Sequence, residues 1–334
     1  MSVRNFKKLG DLVKNSVATR TDSTRTPHVT KSSPSEDKEA CLRVIETLTR
    51  LLLAQQSAQI ADNTSGALED STQKEFARFK IDVQPLGLNG GGTSKFFFPM
   101  SSQDIAKLSL GDIPDRTKKN LEVIRNVLDG RTPHSRHQKS SLQEHVQELA
   151  YYFGHTTDLP RIDPKNQVDT LAFFTGWKLL MGYSPKYDRP SLDRLQWRCT
   201  DGWTCRDTRF PHFKAVMWTA ADATEHQPLR SEVVTILGIM AERHKAEKLR
   251  GHTIIPVMLV SFVGPNHGRI LLAHFDGNKL YIEISALLPI ATQDNTNMDT
   301  LIRWWAAKAN PEASTTKSLQ YGIEKFPPTT STKN

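Results

Sequence analysis

The sequence has little cysteine and no long apolar run. Its three cysteines are too few for a disulfide framework in a chain of 334 residues. No segment approaches the roughly 18 uninterrupted apolar residues that a transmembrane helix needs, and no apolar signal segment stands at the start. We therefore expect a cytoplasmic or nuclear protein that does not enter a membrane.

Motifs of the common enzyme classes are also missing. The sequence has no serine-hydrolase elbow, dinucleotide fingerprint or kinase signature. The glycine-rich stretch 87–95 superficially resembles a phosphate-binding loop, but Lys95 comes last and is followed by Phe96-Phe97-Phe98-Pro99 instead of a helix. We therefore predict an ordinary loop there and expect no resident cofactor.

Composition predicts a folded core that is smaller than the whole chain. Hydrophobic residues make up 37%, and the mean hydropathy is -0.48, both low for a fully compact protein. The net charge of +8 and pI near 9.3 fit contact with nucleic acid or anionic surfaces. A net charge of this size can equally serve to keep a protein soluble. Partners of either kind, protein or nucleic acid, stay open.

Changes in composition divide the chain into five segments. These are a disordered basic segment 1–38, a mainly helical region 39–128, a basic linker 129–141, an α+β core domain 142–310 and a disordered tail 311–334. The Arg- and Ser-rich start also fits a mitochondrial targeting segment, although Asp11 and Asp22 count against that location. Within the linker, Arg131, Arg136 and Lys139 are candidate ligands for phosphate groups or nucleic acid.

Apolar periodicity predicts the helices. The helical spacing of Leu42, Ile45 and Leu48 predicts a helix over Glu39–Ala61. Further helices are predicted over Arg116–Leu128, Leu142–Phe153, Val168–Met181, Leu229–Leu249 and Met298–Ala309, with an irregular segment over Tyr183–His212.

Three strands in Thr253–Ser285 form the predicted centre of the fold. Ile254–Val263 is apolar on both faces, as in a buried central strand. Gly277-Asn278 fits a two-residue turn of the primed type, so that His274 faces Tyr281 and Leu272 faces Glu283. The sequence thus predicts an α+β fold, in which a three-stranded, mainly antiparallel sheet over about 253–285 is packed by helices.

This register gives the hairpin one apolar face and one titratable face. The titratable face groups His274, Asp276, Tyr281 and Glu283, so His274, Asp276 and Glu283 are the candidate catalytic residues. A His274–Glu283 pair needs a nucleophile, for which Ser261 is the available choice. The alternative is a histidine that is hydrogen-bonded within a packed sheet.

Several segments resemble known proteins. Asp193–Cys199, Pro211–Trp218, Gly264–Leu271 and His274–Gly277 resemble intracellular proteins of filamentous fungi, over roughly Gly176 to Trp305, and no activity comes with that resemblance. A helix followed by three antiparallel strands also resembles the start of the PD-(D/E)XK nuclease core.

The nuclease resemblance implies a Mg²⁺ or Mn²⁺ site and a catalytic lysine. The matching positions are Asp276, Glu283 and Ser285, so the lysine is absent. The predicted register also separates the two acids by about 13 Å, too far for one metal ion to bridge. Under this hypothesis a further acid such as Glu232 would lie close to them.

A zinc site is the other metal hypothesis. Cys199, Cys205 and His212 have plausible ligand chemistry in a Cys-x5-Cys-x6-His array, with His226 as a fourth ligand, although structural zinc sites usually begin with a tighter cysteine pair. Buried thiols are the alternative. The leading interpretation is a non-catalytic interaction module, and its rival is a divergent metal-dependent nuclease or phosphodiesterase that uses Asp276 and Glu283.

Overall fold

Helices and strands are interspersed along the part of the chain that the computed structural model describes. That part comprises residues 36–49, 79–88, 94–129, 142–180, 197–264, 266–290 and 296–316. The helices are α1 (36–49), α2 (Ser102–Ala106), α3 (Asp115–Leu128), α4 (Leu142–Thr157), α5 (Leu171–Phe174), α6 (Arg230–Lys245) and α7 (Thr296–Trp305). The strands are β1 (Ile81–Pro85), β2 (Phe97–Phe98), β3 (Ser109–Leu110), β4 (Pro160–Ile162), β5 (Val168–Thr170), β6 (Trp177–Leu180), β7 (Trp197–Cys205), β8 (Phe213–Thr219), β9 (Val257–Val263), β10 (His267–Phe275), β11 (Leu280–Ile284), β12 (Leu288–Pro289) and β13 (Lys308–Ala309).

The main sheet has eight strands, so the mixed α and β character is confirmed but the predicted extent of three strands was too small. Its order is β1-β11-β10-β9-β8-β7-β6, and β12 pairs with β10. The predicted strands β9, β10 and β11 form its antiparallel centre. Parallel pairs flank this centre, because α6 carries the chain from β8 to β9 and because β1 joins β11 from far away in the sequence.

The predicted hairpin register is confirmed. His274 pairs with Tyr281, and Leu272 pairs with Glu283. Gly277 has a φ of 97°, the positive value that a primed turn needs at its first central position. The apolar face that includes Phe275 and Ile282 is buried, as expected.

Each face of the sheet carries its own apolar core. Along β9, Val257 and Leu259 enter one core, whereas Met258 and Val260 enter the other, because successive side chains of a strand point to opposite faces. The first core is completed by α1 and α6 and is called the α6 core below. The second is completed by α3, α4 and α7 and is called the α7 core.

The described parts of 39–128 share these cores with 142–310. Ile45 of α1 and Ile81 of β1 lie in the α6 core, and Ile124 of α3 lies in the α7 core. Arg125 of α3 donates a hydrogen bond of 2.9 Å to the Tyr152 hydroxyl of α4. The segment 129–141, predicted as a boundary, therefore connects two helices that contact each other.

Two secondary-structure predictions between 168 and 212 were wrong. The predicted helix Val168–Met181 is instead β5, the four-residue helix α5 and β6. Helix α5 begins at Leu171, after the N-cap Thr170, whose hydroxyl accepts a hydrogen bond from the Phe173 amide. It ends at Phe174, shortly before Gly176 with its φ of 82°. The predicted irregular segment contains the nine-residue strand β7, whose alternation is interrupted by a bulge between Cys199 and Asp201.

The ends of the folded part differ slightly from the prediction. Residues 36–38, assigned to a disordered segment, belong to α1. At the other end, Thr315 is buried, and its carbonyl accepts hydrogen bonds from the amides of Thr253 and Ile254 at 3.0 and 3.1 Å. Thr315, assigned to the predicted tail, is therefore bound to the core, and residues 1–35 and 317–334 lie outside the described residues.

A buried ion pair connects β10 to the first turn of α6. Arg269 and Glu232 are both fully buried, and the guanidinium donates Nε to Oε1 at 2.8 Å and Nη2 to Oε2 at 2.6 Å. Arg269 Nη1 also donates to the carbonyls of Thr224 and Gln227, each at 3.0 Å. Glu232 accepts from the Leu229 amide at 2.7 Å. The pair therefore holds the helix start and the loop before it on the sheet.

Loss of either charge should destabilise the fold strongly. We expect Glu232→Gln or Arg269→Met to lower the free energy of unfolding by about 3–5 kcal/mol. Each substitution removes one charge of the pair and leaves the opposite charge buried without its partner. The double variant should lose less than the sum of the two, as measured by urea unfolding. The exposed pair Arg209 and Asp207 is the control, and its Arg209→Ala variant should hardly shift the unfolding midpoint. Additive losses at Arg269 and Glu232 would contradict the coupling.

Candidate functional site

On the titratable face of the β10–β11 hairpin, His274 and Tyr281 lie side by side, as the register requires. The rings of His274 and Tyr281 stack with centroids 4.9 Å apart and an interplanar angle of 12°. Phe96 packs against His274 at 4.8 Å. His274 is therefore held between two aromatic rings on the α7-core side of the sheet.

Asp276 has a structural role in the turn. Its Oδ1 accepts hydrogen bonds from the amides of Asn278 and Lys279 at 2.9 and 2.8 Å. It also interacts with the Tyr281 hydroxyl, whose pKa is raised first by partial burial and then by the Asp276 charge and hydrogen bond. Much of the hydrogen-bonding capacity of this carboxylate is thus used by the hairpin itself.

Strand β1 extends the polar face on the far side of β11. Asp82 pairs with Tyr281 and Gln84 with Glu283, and Gln84 Nε2 donates to Asp82 Oδ1 at 2.8 Å. Pairing of β1 beside β11 could not be derived from local sequence, so these two residues were missed.

Lys95 brings a positive charge to the same face. Burial raises the pKa of Glu283, and the nearby Lys95 charge opposes that rise. The pKa of His274 is lowered to about 4, first by burial and then by Lys95, with Asp276 acting in the opposite direction. The His274 imidazole is therefore neutral at pH 7. The charge of Lys95, which lies in the stretch predicted as an ordinary loop, acts on two candidate catalytic residues.

The acids of the nuclease hypothesis are not brought together. Asp276 bonds to Lys279 at the turn, so Glu283 lies four residues further along β11, or about 13 Å. Glu232 is paired with Arg269 on the α6-core side of the sheet, opposite to Glu283. Ser261, the nominated nucleophile, pairs with Arg269 across β9 and β10 and also faces away from His274.

The cysteines of the zinc hypothesis are not brought together, because the bulge between Cys199 and Asp201 puts two residues that are six positions apart on opposite faces of the sheet. Cys199 lies in the α6 core and Cys205 in the α7 core, so the sheet separates the two thiols. His212 is fully buried beside the rings of Phe97 and Phe210, with centroids 5.3 and 6.0 Å away. Within the ranges that the structure describes, no group of three or more His, Cys, Asp or Glu side chains is arranged to hold a metal ion.

A buried lysine, also missed in the sequence, closes the C-terminal end of α7. The ammonium of Lys214 donates to the carbonyls of Trp305 and Ala307, and it lies 3.9 Å from the ring centroid of Trp177. Burial lowers its pKa well below the usual value. The hydrogen bonds from Lys214 to these two carbonyls fasten the end of α7 to β8.

A concave surface lies elsewhere among the described residues, at the two-stranded sheet of β2 and β13. It is a groove of about 450 Å³ and is called the Phe98 groove below. Its lining residues are Phe98, Pro99, Met100, Ser101, Asp104, Lys107, Leu108, Asp163, Pro164, Phe174 and Lys308. In the sequence, the run of three phenylalanines could have indicated this surface. Neighbouring side chains of a strand point to opposite faces, so the three rings cannot all face the same core. Phe97 is 1% exposed, whereas Phe98 is 39% exposed.

The cationic candidates Arg131, Arg136 and Lys139 lie outside the described residues. Among the residues with a described position, no helix is long and apolar enough to cross a membrane. No protein-family model, curated protein or solved structure matches the chain. The resemblances to fungal proteins and to the nuclease core stay predictions.

The burial of His212 predicts a specific pH dependence. Burial lowers its pKa from 6.5 to about 4, so the folded state resists protonation that the unfolded chain accepts. Above pH 6.5 the neutral His212 leaves the free energy of unfolding at its full value. As the pH drops toward 4, this free energy falls by up to about 1.4 kcal/mol per pH unit. His212→Phe should remove this loss and retain aromatic packing.

The measurement is urea unfolding of both proteins between pH 8 and pH 4. The stability of His212→Phe relative to the natural chain should be constant above pH 7 and rise below pH 6.5. His226→Asn, at an exposed histidine, is the control and should give a difference that hardly changes with pH. A flat difference for His212→Phe would show that His212 is not protonated preferentially in the unfolded chain.

Proposed function

We propose that the chain is a non-catalytic interaction module that binds a segment of a protein partner in the Phe98 groove. The observation that carries the proposal is the half-exposed Phe98 in a groove whose wall also contains Met100 and Phe174. Apolar side chains at a concave surface are typical of binding sites. A large aromatic residue there can act as an anchor for most of the binding energy.

The charge distribution supports a protein partner for the folded part. Acidic and basic side chains are nearly equal in number among the described residues, so the excess of positive charge belongs to the other segments. A nucleic-acid surface needs a concentration of Lys and Arg that neutralises phosphates. The folded part lacks such an excess, which favours a protein segment as the ligand of the Phe98 groove.

The proposal predicts that peptides selected on this protein depend on Phe98. Peptides would be selected by phage display on the full chain, synthesised with a fluorescent label and titrated by fluorescence polarisation. We expect Phe98→Ser to weaken them at least about 10-fold, since loss of an anchor residue costs about 2 kcal/mol or more. Val123→Ser, at an exposed apolar residue of α3, should leave affinity unchanged. Failure to select peptides, or equal affinity for Phe98→Ser, would refute the proposal.

The rival proposal is a divergent metal-dependent nuclease or phosphodiesterase that uses Asp276 and Glu283. The proximity of Glu283, His274 and Lys95 favours it, and the separation of the two acids by the register counts against it. Its test is incubation with plasmid and single-stranded DNA in Mg²⁺ or Mn²⁺, beside an Asp276→Asn, Glu283→Gln double variant. These changes keep hydrogen-bonding oxygens in place and remove the charges that a divalent cation requires.

We expect no cleavage by either protein. Thermal unfolding of the double variant would establish that it is folded. Cleavage by the natural chain that disappears in the folded double variant would overturn the non-catalytic proposal and support the nuclease.

A further inference from the structure

The Phe98 groove places a cation directly beside its apolar anchor. Lys308 of β13 pairs with Phe98 of β2 in an antiparallel register, so their side chains leave the same face of the strand pair about 5 Å apart at Cβ. The Asn310 amide donates to Phe96 O, and its side chain donates to Lys95 O, both at 2.8 Å. These bonds hold the two strands, and therefore the two side chains, together.

The acidic side chains of the groove already have partners within the chain. Asp104 accepts from the Ser101 hydroxyl at 2.8 Å and from Lys107 at 2.7 Å. Asp163 uses Oδ1 to accept from the amides of Lys165 and Gln167 at 2.9 and 2.7 Å. Both carboxylates therefore stabilise local turns of the groove wall.

Lys308 differs from these residues. Its side chain is exposed, and no hydrogen bond or ion pair engages its ammonium within the described part of the chain. Its charge acts on Asp104, whose pKa is lowered first by the hydrogen bond from Lys107 and least by Lys308. The ammonium is thus close to the groove wall and available to a ligand.

We infer that the Phe98 groove selects partner segments in which one carboxylate stands two residues after a large apolar side chain, so that both side chains leave the same face of an extended segment. The apolar side chain packs on Phe98, and Lys308 binds the carboxylate. Because the acidic side chains Asp104 and Asp163 line the same groove, a uniformly acidic segment is disfavoured. This inference rests on the proposed function of the groove.

The test uses three fluorescein-labelled hexapeptides, Gln-Gln-Phe-Leu-Xaa-Gln, with Glu, Gln or Lys at the variable position. Fluorescence polarisation at low ionic strength, with the full chain, should give the affinity order Glu, then Gln, then Lys. The expected ratio between Glu and Lys is about 3- to 10-fold, in the range of exposed ion pairs. Lys308→Glu should reverse the order, and Lys308→Gln should abolish the preference.

Two further variants separate failure of this inference from failure of the proposed function. Lys118→Glu reverses another exposed lysine, on α3, and should leave the order unchanged. Phe98→Ser should weaken all three peptides. If Phe98→Ser weakens them but Lys308→Glu leaves the order intact, charge selection is refuted and the groove stands. If no peptide binds, or binding is insensitive to Phe98→Ser, both proposals fail.

Discussion

The buried pair of Arg269 and Glu232 is the constraint on which the arrangement of the main sheet depends. Both side chains are fully buried, and removing charged groups from water costs several kcal/mol for each ion. That cost is met only if the pair and its surrounding acceptors keep their geometry. Because the guanidinium also binds Thr224 and Gln227 carbonyls, the connection from β8 to α6 has one defined path. The parallel position of β9 beside β8 follows from that path.

Much of the remaining polar chemistry in the described interior is used in the same way. Lys214 closes the end of α7, and Asp276 closes the hairpin turn. His212 and His274 have lowered pKa values because burial penalises their charged forms. Perturbed titration is common at catalytic sites, but for Lys214, His212 and His274 burial within the packed interior accounts for the lowered pKa values. This is the physical reason for preferring a binding module to an enzyme.

The features that depend only on residues close together in the sequence could be predicted from it. The register of β10 and β11 followed from the turn at Gly277 and the alternation of side chains, and both were correct. The sheet's other members could not be derived, because β1 joins β11 across nearly two hundred residues and the bulge at Cys199 breaks the alternation of β7. Gly268 shows the same limit: a Cβ there would lie 2.9 Å from Leu301 Cδ1 of α7. Only the packing of α7 on β10 brings Leu301 this close to Gly268, and no local pattern shows that contact.

Hydrogen bonds of the buried interior position one strand of the Phe98 groove. Lys214 and the Trp177 indole both donate to the Ala307 carbonyl, the indole at 2.8 Å, and Ala307 immediately precedes β13. These two hydrogen bonds therefore fix the start of the strand that presents Lys308 beside Phe98. A site whose strands are held from within loses less conformational entropy when a ligand binds. Long-range contacts of the interior thus position a surface pair whose two members are some two hundred residues apart in the sequence.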